Sequence, residues 1–97
     1  MDQDQHDYLT EILAHDAERV AKAEEAVALA ERTRRINAAY AIRCGYEKTA
    51  ASAELGISRP TLDAWIARVE STPDEAAELD QRAKFEARAD AKAARRG

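Results

Sequence analysis

From Asp7 to Arg35 apolar and charged residues alternate with a helical period, and neither proline nor glycine interrupts them. Ala, Glu, Leu and Arg dominate the segment, so it is predicted to be one long helix, preceded by frayed residues 1–6. Leu13, Val20 and Val27 recur every seven residues; Leu9, Ala23 and Ala30 occupy the partner heptad positions, and Asp16 breaks the pattern. Tyr8 and Ile12 add bulk near the start. Such a stripe suits a coiled coil or an antiparallel helix pair, with the alanines allowing close approach. A helix of about 28 residues extends ~42 Å at ~1.5 Å per residue. That exceeds the small globule it would have to cover, so Leu9, Leu13, Val20 and Val27 are expected at a dimer interface. The alternative is that the stripe packs on the chain's own three-helix core.

The next pattern is shorter. Ile36, Ala39, Tyr40 and Arg43 sit at helical spacing in a supporting helix, Glu31 to Arg43, that stops at Gly45. This helix either continues the long arm or breaks near Thr33. From Lys48 to Val69 two short helices are predicted around a turn at Leu55-Gly56-Ile57-Ser58. Gly56 takes a left-handed C-cap without steric cost, and the Ser58 hydroxyl can cap the following helix. Pro60 falls in that helix's first turn, where no intrahelical N–H bond is lost. Ala51, Ser52 and Leu55 share one face of the first helix; Leu62, Trp65, Ile66 and Val69 form one apolar stripe on the second. Small residues at the crossing and large ones at the ends permit a steep crossing, as a helix-turn-helix requires. Trp65, lying on the stripe, is expected in the core.

Ser71-Thr72-Pro73-Asp74-Glu75 marks a boundary, with Thr72 as a cap and Pro73 opening another helix. Residues 73–95 are helix-prone and weakly amphipathic, with Leu79 and Phe85 as the large apolar residues. They end in basic Lys92, Arg95 and Arg96 and are expected to form a C-terminal helix that packs as a second arm, or a partly disordered tail that touches DNA; cations also suit a helix C-terminus for its own sake.

Gly56-Ile57, Arg59 and Thr61-Leu62, preceded by a small-residue helix ending in Leu55, resemble the helix-turn-helix of the Fis (factor for inversion stimulation) family. The resemblance covers roughly residues 34–69. It implies a DNA-binding module whose second helix, 59–69, enters the major groove. The chain departs from that family in a longer loop after Gly45, in Ser52 within the alanine pair, and in Asp63-Ala64-Trp65 where basic residues usually follow.

On this reading Arg59 is the base-reading candidate, since a guanidinium pairs bidentately with guanine O6 and N7. Ser58 and Thr61 can donate to phosphates or base edges. Asp63 can orient Arg59 one turn away or accept from cytosine N4. Arg68 can reach a phosphate, and Lys48 and Thr49 open the first helix, where backbone N–H groups face an anion. Arg32, Arg34 and Arg35 form a further cluster that either contacts phosphate or pairs with neighbouring acids.

Charge sharpens the division. The chain of 97 residues carries a net charge of −4. Residues 1–31 hold two Lys/Arg against nine Asp/Glu, residues 32–69 seven against three, and residues 70–97 six against seven. The predicted helix-turn-helix is thus a basic segment of an acidic chain, as for a DNA-facing module joined to an acidic arm. Domain boundaries follow: an acidic oligomerisation arm over 1–31, the DNA-binding module over 32–70, and the C-terminal segment over 71–97.

The remaining composition excludes more than it adds. Aromatic residues are 5% of the chain, and much of the apolar content is alanine, which favours completing the core by association. The single Cys44 suits a reducing compartment and a buried or half-buried structural place. The acidic start is not that of a signal or transit peptide, and no run is long enough for a membrane span. The cytoplasm is the expected compartment, with nucleoid association in a bacterium. His6 and His15 are too far apart for one helical face, so no metal is expected. No phosphate loop, catalytic triad or cofactor motif is present, and an alanine-rich helical chain offers little for a pocket.

The sequence therefore predicts an all-α, non-enzymatic, homodimeric protein that binds double-stranded DNA without a cofactor. A transcriptional regulator, or an architectural or recombination accessory factor, is the expected role. The alternative is an interaction protein that binds a protein partner through its acidic N-terminal helix and keeps the helix-turn-helix as a scaffold.

Overall fold

A computed structural model describes residues 1–96, the side chain of the last excepted. Four helices and no strand occur among the described residues: α1 (Gln3–Arg43), α2 (Lys48–Leu55), α3 (Arg59–Ser71) and α4 (Pro73–Arg96). The all-α class is as the sequence predicts. Residues 1–32 and 33–97 separate as two compact units.

The first unit is helical from Gln3 onwards, so the expectation of frayed residues 1–6 is corrected. The cause is Asp2. Its carboxylate accepts from the Gln5 N–H at 2.7 Å and its carbonyl from the His6 N–H at 3.0 Å, which satisfies donors at the helix start. Along this segment Leu13, Val20 and Val27 are 69, 56 and 57% exposed and Leu9 37%. The helix passes Thr33 without a break and ends at Arg43.

In the second unit α1 and α2 end where glycine allows it. Gly45 and Gly56 have φ of +98° and +67°. At each site the glycine N–H reaches back three residues, to Ile42 and Ala53. The next residue's N–H reaches back five, from Tyr46 to Ala41 and from Ile57 to Ser52. These are paired Schellman closures, which satisfy the last carbonyls and turn the chain sharply. Ser52 is buried without cost, because its hydroxyl donates to the Lys48 carbonyl at 2.9 Å.

Two apolar clusters hold the unit together. Ala38, Ala51 and Leu62 form one, flanked by Leu55, Ile57 and Trp65; Ile36, Ala39, Val69 and Leu79 form the other, flanked by Tyr40. Ile66 touches both. Leu79, 1% exposed, shows that the core continues past residue 70 into α4, the segment for which the sequence left a C-terminal helix or a partly disordered tail open. A single buried leucine is too weak a pattern to reveal this. Phe85, the other large apolar residue of α4, is exposed.

Ion pairs seal the same junction. Arg35 pairs with Glu75 at 3.4 Å with both side chains nearly buried, and the exposed Arg43 pairs with Asp80 at 2.7 Å. The Arg82 guanidinium bonds Asn37 and lies 4.4 Å from the Tyr40 ring centroid. Hydrogen bonding to Glu86 first, and then to Cys44, pushes the Tyr40 phenol well above its ordinary pKa. Cys44 itself is exposed, which corrects the expectation of burial: it lies just past α1, in the turn at Gly45. Thr72 stands at the predicted boundary and serves both helices: its hydroxyl donates back to the Arg68 carbonyl at 2.6 Å and closes α3, and its carbonyl accepts from the Ala76 N–H at 2.9 Å at the start of α4.

Candidate nucleic-acid interface

The turn between α2 and α3 is built from local chemistry. Ser58 is extended, at φ −76° and ψ 160°, and its Oγ accepts from the Thr61 N–H at 3.2 Å. The Ser58 hydroxyl also donates to Thr61 Oγ1 at 2.9 Å. Both hydroxyls are therefore oriented by capping before any ligand arrives. Pro60 sits in the first turn, where its fixed φ suits the helix.

Burial orients α3. Leu62 and Val69 are fully buried, with Trp65 and Ile66 half-buried on the same side. At about 100° per residue, the opposite side presents Pro60, Ala64 and Ala67. These small residues leave room for close approach. Arg59 and Asp63 rise on one flank of this strip, Thr61 and Arg68 on the other.

Two contacts tie the Arg59–Asp63 flank to the start of α2. Lys48 Nζ lies 3.0 Å from Asp63 Oδ1. The Arg59 guanidinium donates to Thr49 Oγ1 at 3.1 Å. The expectation that Asp63 orients Arg59 is thereby corrected: each is held across the helix crossing, not along α3. A partner on α2 restrains a long side chain in one direction, whereas an i, i+4 pair competes with solvent on a single helix surface. All four residues are outside the core, with Lys48 half-buried and the others exposed.

Lys48, Thr49, Arg59 and Asp63 thus lie together, beside Ser58 and Thr61 at the head of α3. Arg68 lies nine residues along α3 from Arg59, half a turn away in azimuth. Its side chain lies on the other flank of the strip, near the far end of α3, and its carbonyl receives the closing bonds from Ser71 and Thr72.

The arginine cluster before the motif splits in two. Arg35 is inside, paired with Glu75, and its Nε is buried with no hydrogen-bond partner. Arg34 is exposed and stacks over Trp65, 4.5 Å from the ring centroid. Trp65 thereby serves the core with one part and holds a guanidinium with another. The Arg34–Trp65 contact escaped the sequence reading, although Arg-rich spacing ahead of a lone tryptophan was visible. Among the described residues no group of three or more His, Cys, Asp or Glu is placed to hold a metal, and no helix is long and apolar enough to cross a membrane.

Comparison with known proteins agrees with this geometry at the level of the family. No curated protein and no solved structure matches the chain. The model of the homeodomain-like domain matches residues 29–77, a span that includes all of α2 and α3 and the Arg35–Glu75 pair. The match supports the broad helix-turn-helix assignment and does not reach the Fis family specifically. Because that span is half of its length and holds the turn, the caps and the buried faces described above, the chain belongs to the homeodomain-like family, of the helix-turn-helix DNA-binding kind.

Proposed function

We propose that the protein is a sequence-specific binder of double-stranded DNA that reads the major groove with α3, without catalysis. The observation that carries this reading is the gathering of Lys48, Thr49, Arg59 and Asp63 at the head of α3, beside a strip of small residues. A helix in the major groove reads bases with its N-terminal residues. Arg59, oriented by Thr49, is the proposed guanine reader; Asp63 is the proposed acceptor for cytosine N4. Lys48, Ser58, Thr61 and Arg68 are assigned to phosphates or base edges.

The proposed assembly is a homodimer through the arm, with Leu9, Leu13, Val20 and Val27 at its seam. Their exposure in the single chain and their heptad spacing support it. A two-fold dimer meets half-sites about one DNA turn apart, so the target is a pseudo-palindrome. A small transcriptional regulator, or an architectural or recombination accessory factor, in the cytoplasm or on a nucleoid, fits these properties. The domain division, an arm over 1–31 joined to a reading module over 32–70, belongs to the same proposal.

A second reading rests on the net −7 of residues 1–31: the arm docks a basic protein, and the helix-turn-helix serves as a scaffold. One experiment separates the two. Anisotropy with a randomised duplex pool, repeated over a salt series with the retained DNA sequenced, is expected to give steeply salt-dependent binding and an enriched two-fold site. No binding at low salt would leave the scaffold reading.

A further inference from the structure

Between residues 33 and 97 there are twelve Lys/Arg and ten Asp/Glu, so little net charge separates this unit from neutrality. Where the cations stand then decides which face a polyanion meets. Those of the first three helices are largely committed: Arg35 to Glu75, Arg43 to Asp80 and Lys48 to Asp63 in ion pairs, and Arg34 to the Trp65 ring. The reading helix itself carries Arg59 and Arg68 against Asp63 and Glu70. It brings almost no surplus charge to a phosphate backbone.

The C-terminal half of α4 differs. Lys84, Arg88, Lys92 and Arg95 are exposed, and none has an ion-pair partner among the described residues. At about 100° per residue, the four fall within roughly 80° of the helix circumference and extend ~16 Å along its axis. Glu86 and Asp90 fall on the far side of the same helix. The segregation is of charge alone, for alanines fill most of the remainder. A row of unpaired cations facing one way, with the acids turned from it, is the arrangement that neutralises a line of phosphates.

We infer that this basic face of α4 is a second DNA contact, engaging the phosphate backbone without regard to sequence while α3 reads bases. The inference rests on the DNA-binding reading above. It assigns the division of labour: affinity and salt dependence from α4, discrimination from the head of α3. A nucleic-acid backbone is favoured over an acidic protein or lipid surface because the row shares a compact unit with the helix-turn-helix.

The test uses the full-length protein with Lys84, Arg88, Lys92 and Arg95 replaced together by Gln. The four lie outside the apolar clusters, so the fold is expected to persist, checked by circular dichroism. Binding to a random-sequence duplex is measured by anisotropy between low and physiological salt. Each lost phosphate contact lowers the log–log salt slope by about 0.9, so the slope is expected to fall by up to about 3.6 for the four, with at least about a tenfold loss of affinity. The ratio of affinities for the selected site over random duplex is expected to stay within about twofold, since phosphate contacts carry no sequence information. Glu86→Gln with Asp90→Gln, on the opposite face, is expected to change affinity far less.

An unchanged slope in the four-fold variant, with wild-type binding intact, overturns the inference and leaves the reading of α3 standing. An equal and opposite effect from the Glu86 and Asp90 pair would assign the effect to net charge and overturn it too. Wild-type protein that binds no duplex at low salt overturns both. Binding of the basic face to anionic vesicles but not to duplex would transfer it to a lipid surface.

Discussion

The Arg59 guanidinium donates to Thr49 Oγ1 at 3.1 Å, from the first residue of α3 to the second residue of α2. The side chain proposed to read a base is thus aimed by the neighbouring helix. A pre-aimed guanidinium loses less rotamer freedom on binding than a free one. Arg59→Ala is expected to cost about 1–3 kcal/mol of discrimination at one base pair, read from competition among single-base variants of the selected site. Thr49→Val should weaken the same discrimination by a smaller amount while leaving the melting temperature nearly unchanged. Equal loss at every base pair would instead make Arg59 a phosphate contact.

Asp63 offers the opposite case, since its carboxylate occupies Lys48. Both side chains are about half exposed, so the pair is worth at most about 1 kcal/mol to stability. Asp63→Asn frees the ammonium and removes a negative charge from the surface proposed to face DNA. The expected result is tighter non-specific binding and a steeper salt slope, by up to about 0.9, because Lys48 then meets the phosphate without sharing its charge with Asp63. Weaker binding in random duplex would argue against this surface facing the backbone.

Inside the fold, Arg35 and Glu75 form an ion pair with side chains 11 and 6% exposed. Removing one partner strands a buried charge. Glu75→Ala is expected to cost about 3–5 kcal/mol in urea unfolding, and Arg35→Met with Glu75→Leu much less than the sum of the single changes. Additive losses would show that the two residues act independently.

Gly56 isolates a purely backbone effect. A Cβ built there meets nothing within 4 Å, yet φ is +67°. Gly56→Ala should therefore destabilise by about 1–2 kcal/mol through the left-handed conformation alone. Gly56→Asn should cost less, because asparagine tolerates that region. A chemical-denaturation midpoint for each variant checks the order.

For the arm, Val20→Asp places a charge in the proposed seam. Sedimentation equilibrium is expected to show a shift from dimer towards monomer, with the helix-turn-helix still folded. An unchanged mass would remove Val20 from any interface.

Much of the reading unit is legible because its signals are local. A glycine at a helix end, a serine three residues before the N–H it caps, a proline in a first turn and apolar residues three and four apart act within one or two turns. Gly45, Gly56, Ser58 and the Leu62–Val69 stripe stand where the sequence places them. The start of α1 was missed although its signal was equally local: Asp2 caps it, but a single capping residue ahead of polar residues is a weak mark.

What the sequence determined by itself is the helical class, the turn and the face that α3 buries, because backbone sterics and hydrophobic period act between near neighbours. Only the tertiary structure decided that Leu79 completes the core and that Arg35 serves it rather than a phosphate. It also decided that Asp63 belongs to Lys48 and Arg59 to Thr49. These contacts join residues 10 to 40 positions apart through long polar side chains. Such side chains follow no period, and each has several acids or hydroxyls within reach in the unfolded chain. The choice among them is made when the apolar clusters set the helices against one another.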